Sequence, residues 1–118
     1  MELTLDNLNK MIEKAVANTH DIIAIGVVGS FLTERFCSTS DIDLIVKIQE
    51  GSHFLNTIDS FHATLEKWML QIFNRQLDII NYDRAVLLST ARQNSKPYWF
   101  DPELYQKMLR EVRWVYER

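Results

Sequence analysis

Three aspartates and one Gly-Ser pair are the residues of this chain most suited to chemistry. Asp41 and Asp43 flank Ile42 at the entrance to a largely apolar run, Leu44 to Ile48. In a strand, residues i and i+2 share a face, with side chains ~6–7 Å apart. Asp41 and Asp43 therefore project together. Two neighbouring carboxylates repel unless a cation lies between them. Hard divalent ions such as Mg²⁺ take one or two carboxylates and complete their shell with phosphate oxygens and water. About ten residues upstream, Gly29-Ser30 follows a second apolar run, Ile22 to Val28. A Gly-Ser turn between strand and helix offers free backbone N–H groups to a phosphate. Metal carboxylates beside a phosphate cradle suit phosphoryl or nucleotidyl transfer.

Asp78 adds a third carboxylate. It is the single charge in Gln76–Asn81, which otherwise reads as a short apolar strand. A carboxylate placed there is costly unless it is paired or bound to a metal. If this strand lies beside Ile42–Ile48, Asp78 joins Asp41 and Asp43. Three carboxylates can hold two metals, or hold one and supply a base for an incoming nucleophile.

The elements that must position these groups follow from periodicity. Leu5, Leu8, Met11, Ile12, Ala15 and Val16 recur at helical spacing, with Thr4 or Asp6 as N-cap. Residues 21–28 are β-branched and apolar on both faces, the pattern of a buried central strand. Ser30 is placed to cap a short helix over Phe31 to Phe36. Residues 53–73 form the longest helical pattern, with Phe54, Ile58, Phe61, Leu65, Trp68, Met69 and Ile72 on one stripe. Asp83 is expected to cap a helix over residues 84–91. Asp101-Pro102 opens a last helix to about Glu117, with Tyr105, Met108, Leu109, Val112 and Tyr116 as its buried stripe. On that helix Trp114 falls on the outer side, near Lys107, Arg110 and Arg118, where it either lies on helix surface or meets a partner. The fold class is α/β, a small mixed sheet of about three strands packed by helices.

At 118 residues the chain is expected to be one domain over 1–118. Its 47% hydrophobic and 25% charged residues are ordinary for a globular protein. A net charge of −3 argues against a nucleic-acid duplex as main partner. The single cysteine, Cys37, cannot form an internal disulfide, which points to a reducing compartment, the cytoplasm. No apolar run reaches the ~20 residues of a membrane span, and the first residues lack the pattern of a signal peptide. His20, His53 and His62 lack metal-ligand spacing and read as solvated or structural. No histidine stands in a motif beside Ser30 to make it a nucleophile.

The strand, the Gly-Ser pair, the spacer and Ser40-Asp41-Ile42-Asp43-Leu44 together resemble the nucleotidyltransferases of the DNA polymerase β superfamily. The small size, Leu77-Asp78-Ile79-Ile80 and Asp83-Arg84-Ala85 resemble its minimal nucleotidyltransferase branch, antitoxins that accompany HEPN-type ribonuclease toxins. The resemblance covers nearly the whole chain. It implies the nucleotidyltransferase fold, with Asp41, Asp43 and Asp78 as catalytic and metal ligands. It implies nucleotide contacts from Gly29, Ser30, Arg35 and Ser40. The implied reaction moves AMP from ATP, with Mg²⁺ or Mn²⁺, to a tyrosine hydroxyl of a HEPN toxin bound in a complex with this chain. Family members often follow Gly-Ser with Arg-x-Arg-Gly; here Phe31, Leu32, Thr33 and Glu34 stand there, with Arg35 one residue beyond. Two cations are replaced and an anion is added where charge stabilisation matters most. The same fold without turnover would be an antitoxin that acts by binding alone. A small-molecule enzyme of the aminoglycoside type is a further alternative, although such enzymes usually carry another helical domain for the acceptor.

Overall fold

The computed structural model describes residues 3–17, 19–29, 41–90 and 102–118. Helix α1 (Leu5–Val16) starts where Thr4, in extended backbone, accepts a hydrogen bond from the Asn7 N–H at 3.1 Å. Its buried residues Leu8, Ile12 and Val16 sit at helical spacing on one face.

Four strands form one mixed sheet in the order β3-β2-β1-β4. Strands β1 (Ile22–Val28) and β2 (Ile42–Ile48) are its antiparallel centre. Strand β3 (Leu77–Asn81) runs parallel to β2 at one edge. On one face, Ile22, Ile25, Val27, Leu44 and Val46 pack with residues of α1 and of α2 (Phe54–Trp68), including Phe61 and Leu65. The opposite face carries a smaller cluster around Val28, Ile45 and Ala85, covered by α3 (Tyr82–Ser89) and α4 (Pro102–Glu111). Burial on both faces explains why the two central strands read as continuous apolar runs.

The sheet has one strand more than the sequence pattern suggests. The last helix ends at Glu111, and β4 (Arg113–Glu117) pairs antiparallel with β1 on its free edge. Tyr116 therefore belongs to a strand and packs with the α1/α2-side core, not on a helical stripe. Trp114, expected on an outer helix side, is half-buried on the α3/α4 side, edge-on to Tyr82 with ring centres 5.6 Å apart. The Trp-Val-Tyr run has high β propensity, and β1 supplies the hydrogen-bonding partner that a helix would forgo. Gly26 makes the pairing possible: a Cβ there would lie 2.4 Å from Val112 Cγ2 and 3.1 Å from Trp114 Cε3.

Two other boundaries shift. Helix α2 runs into a single π turn, Met69–Phe73, closed by Asn74 in the left-handed region at φ 53°. The wider turn rotates Ile72 off the buried stripe, leaving it 49% exposed. Helix α3 begins two residues before the expected start. Its cap is Asn81 and not Asp83: the Asn81 side-chain oxygen accepts from the Asp83 and Arg84 N–H groups at 3.0 and 3.4 Å. Helix α4 starts at Pro102, as the Asp-Pro pair suggests, while Asp101 and the helix expected over Phe31 to Phe36 lie outside the described residues. Among the described residues, no helix is long and apolar enough to cross a membrane.

Candidate active site

The candidate site forms where the C-terminal end of β1 meets the N-terminal ends of β2 and β3. Two registers build it. Val28 of β1 pairs with Asp43 of β2, and Asp43 pairs with Asp78 of β3. Because alternate residues share a face, Asp43 projects to the same side as Ile45, the side covered by α3 and α4. Asp41 lies just before β2 and is exposed; Asp78 is exposed; Asp43 is half-buried.

The electrostatics identify Asp43 as the focus. Its carboxyl is pushed up to about 6 from the ordinary 3.8. Burial is the largest cause, followed by the charges of Asp78 and Asp41 and then a hydrogen bond to the Asp78 side chain. The protonated Asp43 carboxyl thus donates to the Asp78 carboxylate. All four influences disfavour a second negative charge, so the cluster gains from a proton or a cation.

Gly29 closes the site on the β1 side. Its backbone has φ +79°, and a Cβ on it would stand 2.8 Å from Asp43 Oδ2. The sequence marks Gly29 only as part of a phosphate turn; its contact with Asp43 follows from the β1–β2 register. Ser30, Arg35 and Ser40, the other expected nucleotide contacts, and Cys37 lie outside the described residues. His53 accepts from the Asn56 N–H at the start of α2, and His62 pairs with Glu66 at 2.8 Å, in keeping with structural roles.

The donor set fits a hard divalent ion in its chemistry. The three groups are oxygen ligands with excess negative charge, and two of them touch. Among the described residues, no three His, Cys, Asp or Glu groups are close enough to hold a metal ion by themselves. A pair of carboxylates with the rest of the shell left to phosphate and water is the usual arrangement for Mg²⁺. The largest cleft, about 800 Å³, lies elsewhere: it is lined by Ile48, Phe54, Ile79, Leu104 and Met108 among others, and by none of the three aspartates.

Residues 10–97 match the family model described as polymerase beta, nucleotidyltransferase. The chain belongs to that nucleotidyltransferase family. Among solved structures, it is similar to a chain from the crystal structure of the toxin–antitoxin pair MntA–HpeT, in a form with two aspartates, two positions apart, replaced by glutamate. The similarity has a TM-score of 0.52 and 13% identity, covering 93% of this chain and 73% of that one, and shows a shared fold. Among curated proteins, none matches this chain.

Proposed function

We propose that this chain is an adenylyltransferase that moves AMP from ATP to a tyrosine hydroxyl of a partner HEPN toxin, and thereby acts as an antitoxin. The observation that carries the reading is the Asp43–Asp78 contact, with Asp41 in electrostatic reach, on a nucleotidyltransferase fold. The shared fold with a chain from a toxin–antitoxin pair supports the choice of partner. The Asp-x-Asp spacing of Asp41 and Asp43 is also the spacing of the two substituted aspartates in that structure.

Asp41 and Asp43 would hold Mg²⁺ or Mn²⁺, with Asp78 beside them. The ion, when bound, neutralises phosphate charge and polarises the phosphorus under attack. Gly29 and Ser30 bind the triphosphate through backbone N–H groups, with Arg35 and Ser40 as further contacts. Asp78 accepts the proton of the acceptor hydroxyl. The acceptor oxygen forms a bond to the α-phosphorus, the α–β P–O bond breaks, and pyrophosphate leaves.

One specific feature supports a second reading, neutralisation by binding alone: Phe31, Leu32, Thr33 and Glu34 stand in place of Arg-x-Arg-Gly. Transfer of labelled AMP separates the two. Purified protein with Mg²⁺, ATP and the toxin encoded beside it labels the toxin, and Asp41→Asn and Asp43→Asn each lower the rate strongly. If both variants protect cells from the toxin as well as the parent does, transfer is not the basis of protection and the binding reading stands.

A further inference from the structure

We infer that Gly29, beyond any contact with phosphate, is a positioning residue that seats the Asp43 carboxylate. An ideal Cβ at position 29 would lie 2.8 Å from Asp43 Oδ2, and its next two neighbours, at 3.7 and 3.8 Å, are also atoms of Asp43. No other side chain competes for that space among the nearest atoms. The side of Gly29 that a methyl group would occupy is therefore taken up by the carboxylate itself.

The arrangement follows from the fold. Val28 pairs with Asp43, so the residue after the strand passes directly beside that side chain. The left-handed turn at φ +79° presents the bare α-carbon to it. With Gly29 on one side, the carboxylate is held toward Asp78 on the other, where it makes its hydrogen bond. Adding a Cβ leaves one cheap response: the end of the Asp43 side chain swings away and the carboxylate cluster opens. The fold would survive, and the ligand geometry would not. A group that orients a metal ligand typically changes metal affinity by about 10- to 100-fold when altered. The metal arm of the test rests on the proposed function; the seat itself does not.

Mn²⁺ binding without nucleotide is measured by calorimetry for the parent, Gly29→Ala and Gly29→Asn. Asparagine tolerates positive φ yet carries a Cβ, so it separates backbone strain from the filled space. Both variants are expected to lose about 10- to 100-fold in Mn²⁺ affinity. A folded Gly29→Asn protein with parental affinity would overturn the seat. A second measurement needs no metal: the denaturation midpoint in EDTA, with Gly29→Ala placed in the parent and in Asp43→Ala. The midpoint loss is expected to be smaller where the carboxylate is absent. Equal losses in both backgrounds, or failure to fold in both, would mean that the glycine serves only its backbone angle. A parent that binds no Mn²⁺ would sink the metal reading and leave this comparison to decide the seat.

Discussion

Asp43 and Asp78 face each other directly across the parallel β2–β3 pair, and their carboxyl groups share a hydrogen bond. No apolar core gains from that contact. It leaves Asp43 easier to protonate than an ordinary carboxylate, and equally ready to release its proton to a bound cation.

The first consequence is a pH dependence of the metal-free protein. Asp43 binds its proton more tightly in the folded chain, at about 6, than in the unfolded one, near 3.8. Its contribution to stability is therefore fully present below about 3.8 and is lost as pH rises through 6. In EDTA, the melting temperature of the parent relative to Asp43→Asn should fall across that window. Mg²⁺ or Mn²⁺ affinity should rise over the same window, because the proton and the ion compete for one carboxylate. A flat difference between the two proteins from about pH 4 to about pH 8 would contradict both.

Replacing a single site carboxylate should separate stability from activity. At neutral pH, Asp43→Asn removes the ionised partner that burial and Asp78 disfavour. The metal-free variant should melt a few degrees higher than the parent, and Asp78→Asn should do the same. Both should lose AMP transfer by at least about tenfold. A variant less stable than the parent in EDTA would mean that the carboxyl–carboxyl hydrogen bond outweighs the repulsion.

Gly26 offers a test of the β4 pairing. A methyl group there meets Val112 Cγ2 at 2.4 Å, Trp114 Cε3 at 3.1 Å and Ile45 Cγ2 at 3.2 Å. Gly26→Ala should cost about 1–3 kcal/mol through overpacking. Val112→Ala should be destabilising alone but should recover part of the loss in the double variant, giving a coupling visible in denaturant titrations.

Helix α3 distinguishes two neighbouring side chains. Asn81→Ala removes the oxygen that accepts both the Asp83 and the Arg84 N–H groups, and should cost about 0.5–2 kcal/mol. Asp83→Ala loses only a favourable charge in the first turn, about 0.3–1 kcal/mol. A larger cost at Asp83 in chemical denaturation would place the cap at the residue that local sequence suggests.

The departure after Gly-Ser gives a prediction for ATP itself. Thr33→Arg with Glu34→Gly restores two positions of the Arg-x-Arg-Gly pattern. One well-placed charge-assisted hydrogen bond contributes ~1.5–3 kcal/mol, so ATP should bind about tenfold tighter or more with Mg²⁺ present. Arg35→Ala should weaken binding in the parent and matter less in the double variant. Unchanged affinity in all three proteins would show that the segment does not face the triphosphate.

Local order is largely written in this sequence. The periods of α1, β1, β2 and α2 are strong enough to place each element within a residue or two, and Thr4 and Pro102 mark helix starts by side-chain chemistry alone. The candidate site is legible for the same reason: charges at Asp41, Asp43 and Asp78 stand at strand positions where an apolar residue would cost less. Their meeting depends on the third strand lying beside the second, which is a pairing between residues 35 positions apart that no local pattern specifies. The tertiary structure decided that β3 runs parallel to β2 with Asp43 opposite Asp78, and that Gly29 passes against the same carboxylate. It also decided the fate of residues 113–117. Tyr105, Met108, Leu109, Val112 and Tyr116 satisfy a helical stripe, while Trp114, Val115 and Tyr116 equally suit a strand. Local propensity leaves such a segment nearly balanced. The free edge of β1 resolves it, because the unpaired N–H and C=O groups of a central strand need a hydrogen-bonding partner that only a distant part of the chain can supply.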